Sequence, residues 1–222
     1  MEMEVLELNG MQYIKTYTQE YESGKKYPVI IFLHGAGTRG TDIELLKGNS
    51  FFKMINRDYP FMLIAPQCHK NTWFDHMEDL KKLVSTLAED EFVDEKKIYL
   101  MGNSMGGYGT WQLAMSIPEM FAAIVPICGG GMYWNAARLA NVPVWAFHGQ
   151  RDKAVFVEES HKMVDAVNAK GGNAKITIYP ELGHRSWDPT YSNPEVMEWL
   201  LSHENSGKVE LNDEYTDSKL HG

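Results

Sequence analysis

Residues 100–109, LMGNSMGGYG, surround one serine with four glycines directly after an apolar run. Gly102 and Gly106 stand two positions on either side of Ser104 and complete a G-x-S-x-G pattern. A chain that turns directly from a strand into a helix crowds the turning residue, and glycine at these positions removes the collision. The pattern predicts that Ser104 is a nucleophile held at a strained turn. The alternative is a serine that only caps the helix.

A serine hydroxyl is a weak nucleophile without a base and a group that orients the base. Asp152 follows the apolar run 142–149, and His184 follows the apolar run 174–180. We expect both at the carboxyl ends of strands, where open α/β sheets hold their sites, with His184 as base and Asp152 behind it. Asp188 and Glu181 are rival carboxylates close to His184, but neither stands at the end of the preceding strand.

The elements that must position these residues are visible as alternating patterns. Continuous apolar runs predict strands covered on both faces, at 28–34, 61–67, 96–102, 122–128, 142–149 and 174–180. Helical patterns occupy 76–90, 104–118, 155–172 and 193–203, and Asn9-Gly10 predicts a hairpin between 3–8 and 11–17. The sequence therefore predicts an α/β fold: a mostly parallel central sheet flanked by helices, with an N-terminal antiparallel hairpin. We expect one domain over residues 1–203 and a polar C-terminal extension over 204–222.

With these motifs the sequence resembles the α/β-hydrolase superfamily, in particular its small carboxylesterases and its dienelactone-hydrolase-like and prolyl-oligopeptidase-like members. The chain order Ser104, Asp152, His184 is that of the superfamily. The resemblance implies the α/β-hydrolase fold and a catalytic triad that needs neither a cofactor nor a metal. Dienelactone hydrolases proper hold cysteine at the turn, whereas this chain has serine, which favours ordinary ester chemistry. The segments that carry the resemblance are FLHGAGTRG (32–40), APQC (65–68), GNSMGG (102–107), HGQRD (148–152) and GHRSWDPTYSNPEVMEWL (183–200).

An acyl-transfer site also needs an oxyanion hole, usually two N–H donors that face the developing negative charge. The N–H of Met105, the residue after the nucleophile, is expected to supply one donor. The small residues of LHGAG leave backbone N–H groups accessible after the first core strand. Similarity to esterases with a comparable H-G-x segment implies Ala36 as the second donor, with Gly37 as the near alternative.

Four large aromatic residues fall on predicted loops that follow strands: Trp73, Tyr133, Trp134 and Trp187. Loops at the carboxyl edge of a sheet are where a binding pocket forms, so we predict that these side chains line a substrate pocket. Core packing is the alternative for each of them.

Composition excludes several classes of partner. The net charge of −9, with no lysine- or arginine-rich run, disfavours nucleic acid. No apolar run approaches the about 20 residues that span a bilayer, so no membrane segment is expected. The acidic N-terminus differs from a secretory signal, and we expect a cytoplasmic protein in which Cys68 and Cys128 are reduced thiols. His69 and His76 lack the partners of a zinc site, and no metal is expected.

The length of the loop after the sixth strand limits the kind of ester that the site can enclose. Pro143 comes only 15 positions after Cys128, which leaves no room for a lid domain after the sixth strand. We therefore expect a serine carboxylesterase that acts on short-chain or carbohydrate-linked acyl esters. The alternatives are a small serine peptidase of prolyl-oligopeptidase type and a non-catalytic α/β-hydrolase scaffold that binds a ligand.

Overall fold

Eight strands form one sheet in the computed structural model, which describes residues 2–20, 22 and 24–205. The spatial order is β1-β2-β4-β3-β5-β6-β7-β8. β1 pairs antiparallel with β2, and β2 with β4, whereas every other neighbouring pair is parallel. The strands are β1 (Glu4–Leu8), β2 (Met11–Tyr17), β3 (Tyr27–Leu33), β4 (Met62–Pro66), β5 (Val93–Asn103), β6 (Ala123–Ile127), β7 (Val144–Gly149) and β8 (Ala174–Tyr179).

Seven α-helices lie on the two faces of this sheet within the described ranges. The four long helical patterns of the sequence are confirmed, and three short helices were not predicted. The helices are α1 (Ile43–Lys47), α2 (Ser50–Met54), α3 (Met77–Ala88), α4 (Met105–Ser116), α5 (Glu158–Ala169), α6 (Trp187–Ser192) and α7 (Pro194–Leu201).

The sheet is buried on both faces, which explains why its strands are continuously apolar. Along β3, Val29 and Ile31 pack into a core with α3, α4 and α5. Ile30 and Phe32 point the other way into a second core with α2, α6 and α7, where the Phe32 ring stacks on Phe51 at 3.8 Å. The predicted mostly parallel α/β-hydrolase architecture is therefore confirmed.

The N-terminal hairpin and the short connection after β6 are also confirmed. Asn9 and Gly10 join β1 to β2 with φ angles of 50° and 79°, as a tight type I′ turn requires. The connection from β6 to β7, described throughout, holds only the 3₁₀ helix Tyr133–Leu139 and no lid domain. Of the predicted extension at 204–222, residues 206–222 lie outside the described residues. Within the described ranges, every helix is too short or too polar to cross a bilayer.

Gly106, in the first turn of α4, allows this helix to lie directly against β3. A Cβ built there would stand 1.8 Å from the carbonyl oxygen of Leu33 and 2.8 Å from that of His34. Both neighbours are backbone, so neither moves cheaply. The close approach of α4 to β3 therefore depends on the missing side chain.

We predict that Gly106→Ala lowers the free energy of unfolding by about 3 kcal/mol, because the methyl group forces α4 away from β3. Urea denaturation of the purified variant measures the change. Gly37→Ala is the matched control, since a Cβ at Gly37 meets nothing within 4 Å. Equal stability of the Gly106→Ala variant and the wild type would contradict the prediction.

Candidate active site

Ser104 occupies the turn between the end of β5 and the start of α4. Its φ of 56° and ψ of −118° are strained for a residue with a side chain. The turn is held by the N–H of Ser104, which donates to the carbonyl of Ile127 at 2.9 Å, and by the N–H of Tyr108, which donates to the carbonyl of Ser104 at 3.0 Å. The Ser104 hydroxyl makes no capping bond to α4. The interpretation as a simple helix cap is therefore wrong.

The hydroxyl instead begins a chain of three side chains from three separate loops. Ser104 Oγ lies 2.8 Å from His184 Nε2, and His184 Nδ1 lies 2.7 Å from Asp152 Oδ2. These loops follow β5, β7 and β8, whose carboxyl ends meet at one edge of the sheet, called the carboxyl edge below. The geometry allows the imidazole to take the hydroxyl proton while the carboxylate faces the resulting imidazolium.

Asp152 is buried, but both oxygens of its carboxylate accept hydrogen bonds from protein N–H groups. Oδ1 accepts hydrogen bonds from the N–H groups of Ala154 at 2.8 Å and Val155 at 3.0 Å. Burial by itself raises the pKa of Asp152, but the hydrogen bonds from His184, Val155 and Ala154 outweigh it and hold the pKa below its usual value. The carboxyl group is therefore ionised at neutral pH, as a partner of an imidazole N–H must be.

The rival carboxylates are engaged elsewhere. Asp188 accepts hydrogen bonds from Ser50 Oγ at 2.9 Å and from Arg185 Nε at 2.5 Å. Glu181 forms an exposed ion pair with Arg151. Neither carboxylate is the partner of the His184 ring.

The loop after β3 is fixed beside Ser104 by the buried ring of His34. Its Nδ1 lies 2.7 Å from the carbonyl oxygen of Gly35, and its Nε2 accepts the N–H of Cys68 at 3.0 Å. The ring therefore carries its proton on Nδ1 and donates it to Gly35. A Cβ on Gly35 would lie 3.6 Å from the Cβ of Ser104, so this loop runs directly past the serine.

Two backbone N–H groups at this edge are suited to bind an anion. Met105 is the first residue of α4, and Ala36 is the first residue of a short 3₁₀ helix, Ala36–Thr38. The first N–H groups of a helix have no acceptor within it. Because the Gly35 carbonyl faces the His34 ring, the N–H of Ala36 on the same trans peptide points away from that ring.

The predicted aromatic pocket needs one correction. Trp73 is a core residue, not a wall of the site: its side chain is fully buried, and its indole N–H donates to the carbonyl of His34 at 2.9 Å. Trp187 packs edge-on against the His184 ring, with ring centroids 5.5 Å apart. Tyr133 and Trp134 contact each other and are exposed by 52% and 64%, on the connection after β6.

Two further side chains lie beside the carboxylate, and the sequence alone did not pair either of them with Asp152. Cys128 follows β6, and its Sγ lies within 4.8 Å of a carboxylate oxygen of Asp152 and a ring nitrogen of His184. Burial raises the pKa of the Cys128 thiol to about 12, so the thiolate does not form at neutral pH. Within the described part of the chain, Cys128, Asp152 and His184 form a group whose side-chain types and spacing would suit a metal ion. The second neighbour, His148, lies 3.2 Å from Asp152 Oδ2.

Comparison with known families and structures agrees with this fold. The family model described as "Dienelactone hydrolase family" matches residues 61–195, a range that includes Ser104, Asp152 and His184. Among solved structures, that of a thermostable esterase superposes with a TM-score of 0.82 at 32% identity, over 91% of this chain and 63% of that one.

Curated relatives are more distant and longer. Dipeptidyl-peptidase 5 of Porphyromonas gingivalis is 20% identical over 74% of this chain and 31% of its own length. Probable feruloyl esterase C of Aspergillus terreus is 26% identical over 57% of this chain and 49% of its own length. The chain thus spans about half or less of the length of these relatives.

His34 makes stability depend on pH in a specific way. Burial lowers the pKa of its imidazole from 6.5 to about 4. Below about 6.5 the unfolded chain binds a proton that the folded His34 does not, so the free energy of unfolding falls as the pH drops towards 4. The loss from this one group amounts to about 3 kcal/mol when the full shift is realised.

We predict that His34→Asn flattens the pH dependence of stability between pH 6.5 and 4.5, because asparagine can donate to Gly35 but does not titrate. Urea denaturation at both pH values measures the difference for the variant and the wild type. The variant is expected to be less stable at pH 7, since the acceptor for Cys68 is lost. If the free energy of unfolding of the variant falls with pH as steeply as that of the wild type, His34 is not the group responsible.

Proposed function

We propose that this chain, which belongs to the dienelactone hydrolase family, is a serine carboxylesterase for short-chain or carbohydrate-linked acyl esters. Membership of the family and the esterase neighbour support a hydrolase; the nucleophile and the ester class are the finer parts of our proposal. One observation carries it: the hydrogen-bonded chain from Ser104 through His184 to Asp152, with distances of 2.8 Å and 2.7 Å.

In the proposed acylation step, Ser104 Oγ attacks the carbonyl carbon of the ester as His184 Nε2 takes its proton. Asp152 Oδ2 accepts a hydrogen bond from the Nδ1–H of the imidazolium and offsets its charge without becoming protonated. The tetrahedral intermediate then collapses, and Nε2 returns the proton to the departing alcohol. A water molecule repeats the sequence on the acyl-enzyme and releases the acid.

We assign the oxyanion to the N–H groups of Met105 and Ala36, with Gly37 as the near alternative to Ala36. The position of Met105 at the start of α4 supports the first assignment, because helix N-termini favour negative charge. The orientation of the Gly35–Ala36 peptide, set by His34, supports the second. Loss of one such donor typically lowers turnover by about 10² to 10³.

The preference for short or displayed acyl groups follows from an uncovered carboxyl edge. The β6–β7 connection holds one 3₁₀ helix, so it does not build a chamber for a long acyl chain. Exposed Tyr133 and Trp134, and Trp187 beside His184, offer flat apolar surfaces of the kind that stack on sugar or phenolic rings. Similarity to a probable feruloyl esterase supports the same class of ester.

The net charge and the two free thiols support a proposal for the compartment and the partner of the enzyme. Cys68 and Cys128 are both free and buried, as is usual in reducing compartments, and we propose a cytoplasmic enzyme. The net charge of −9 disfavours nucleic acid as a partner, which leaves a small-molecule or carbohydrate ester.

A peptidase is the second candidate, and the similarity to dipeptidyl-peptidase 5 favours it. The same three side chains serve amide hydrolysis in other folds. Rates on a p-nitrophenyl ester and on the matched anilide separate the two functions, since a peptidase cleaves both and an esterase only the first.

We predict that Ser104→Ala abolishes labelling by a fluorophosphonate probe and lowers kcat by about 10⁴ or more, because the nucleophile is removed. Asp152→Asn should keep the fold and lower kcat by a similar factor, since the imidazole then takes the wrong tautomer. Ser192→Ala, at an exposed serine of α6, is the control for labelling. A wild type that fails to label would favour the non-catalytic scaffold.

We predict that p-nitrophenyl acetate and butyrate are hydrolysed at least about 10-fold faster, by kcat/KM, than the laurate ester, because no chamber buries a long chain. Acetylated and feruloylated sugars are assayed beside this series by release of the acid. Highest activity on the laurate ester would refute the proposed substrate class.

A further inference from the structure

His148 is a second histidine bonded to the carboxylate of the proposed site. It lies in β7, four residues before Asp152, and its side chain is fully buried. Its Nε2 lies 3.2 Å from Asp152 Oδ2 and 2.9 Å from the carbonyl oxygen of Val155. Its Nδ1 lies 2.7 Å from Ser160 Oγ, on α5.

These contacts fix where the ring carries its proton. The ionised Asp152 and the Val155 carbonyl both lack a hydrogen, so only a protonated Nε2 can bond to them. Ser160 Oγ is within reach of both Nδ1 and the carbonyl oxygen of Gly129, at 2.7 Å and 2.8 Å, and its single hydrogen can satisfy a bare Nδ1. Burial lowers the pKa of His148, which favours this neutral ring.

The same carboxylate oxygen therefore receives two imidazole protons. His184 Nδ1–H approaches Asp152 Oδ2 at 2.7 Å, and His148 Nε2–H approaches it at 3.2 Å. The other oxygen, Oδ1, is held by backbone N–H groups of its own loop. Among the described residues, only the His148 contact ties the Asp152 side chain to a strand of the sheet, and Ser160 ties that ring in turn to α5.

We propose that His148 is a positioning residue, whose Nε2–H holds Asp152 Oδ2 at the point from which it orients the His184 ring. The inference rests on the proposed function, because orientation of His184 matters only if His184 is the base. Without this donor the Asp152 side chain, with the loop that holds its Oδ1, loses its link to β7, and Oδ2 can shift from the line to His184 Nδ1. Misplacement of a catalytic group by about 1 Å costs up to about 10²-fold in rate.

A pair of amide substitutions separates the two ring nitrogens. In His148→Gln the amide nitrogen reaches the position of Nε2 and can still donate to Asp152. In His148→Asn it reaches only the position of Nδ1, beside Ser160. We expect His148→Asn to lower kcat about 10-fold to 100-fold with KM within about twofold, and His148→Gln to keep kcat within about threefold.

His76 provides the matched control elsewhere in the fold. Its side chain is fully buried, and its Nδ1 lies 3.2 Å from Asp79 Oδ2; the other oxygen of Asp79 accepts from Asn9 in the β1–β2 turn. His76→Asn and His76→Gln should lower the midpoint of urea denaturation and leave kcat per active site unchanged. Active sites are counted by fluorophosphonate titration, so that unfolded protein does not enter kcat.

Equal losses of kcat in the asparagine and glutamine variants of His148 would overturn the proposal, since a purely structural role does not distinguish the two nitrogens. A second measurement needs no variant to fold. In wild-type protein labelled with ¹⁵N-histidine, we expect His148 to carry its proton on Nε2 and none on Nδ1 at pH 7. The opposite tautomer would overturn the proposal.

The two proposals fail separately. If Ser104→Ala keeps full activity, the proposed function is wrong, whatever the tautomer of His148. If Ser104→Ala is inactive and His148→Asn retains wild-type kcat, only the positioning role is wrong.

Discussion

The architecture depends on one steric constraint: a strand must become a helix within a single residue while another strand lies almost in contact. Ser104 takes a φ of 56° to make this turn. A Cβ on Gly102 would stand 2.4 Å from the carbonyl oxygen of Gly106, and one on Gly106 would stand 1.8 Å from that of Leu33. The glycines around the serine therefore allow the backbone of β3, β5 and α4 to come close together, and the Ser104 hydroxyl points towards His184 at the carboxyl edge.

The same steric logic recurs where the imidazole meets the sheet. A Cβ on Gly149 would lie 2.2 Å from the carbonyl oxygen of Gly183. Absence of that side chain lets the loop carrying His184 settle directly on the end of β7, beside the loop carrying Asp152. Buried His34 holds the loop after β3, and buried His148 bonds Asp152 in the loop after β7. Close backbone approach thus brings these loops together, and hydrogen bonds from the buried, neutral rings of His34 and His148 help to hold them.

Much of the fold was predictable, because a strand that is buried on both faces has a continuously apolar sequence. Six continuous apolar runs became six strands, and the helical pattern at 76–90 became α3, whose Leu80 and Val84 are buried. Helices α1, α2 and α6 have only five or six residues, too few for a helical period to appear. Trp73 was misassigned because a loop position does not give the direction of a side chain, and its ring turned inward against Gly109. His148 and Cys128 reach Asp152 through tertiary contacts that spacing alone does not encode.

The strand order places Ser104 after a central strand and His184 after an edge strand. Ser104 follows β5, which has a strand on each side, whereas His184 follows β8, the outermost strand of the sheet, paired with β7 alone. Outer strands open at lower free-energy cost than central ones, because fewer ladder bonds and contacts must break. The proposed proton acceptor thus follows an edge strand, and the proposed nucleophile follows a central one. Fraying of the edge strand would abolish the proposed reaction while the central strands stay folded.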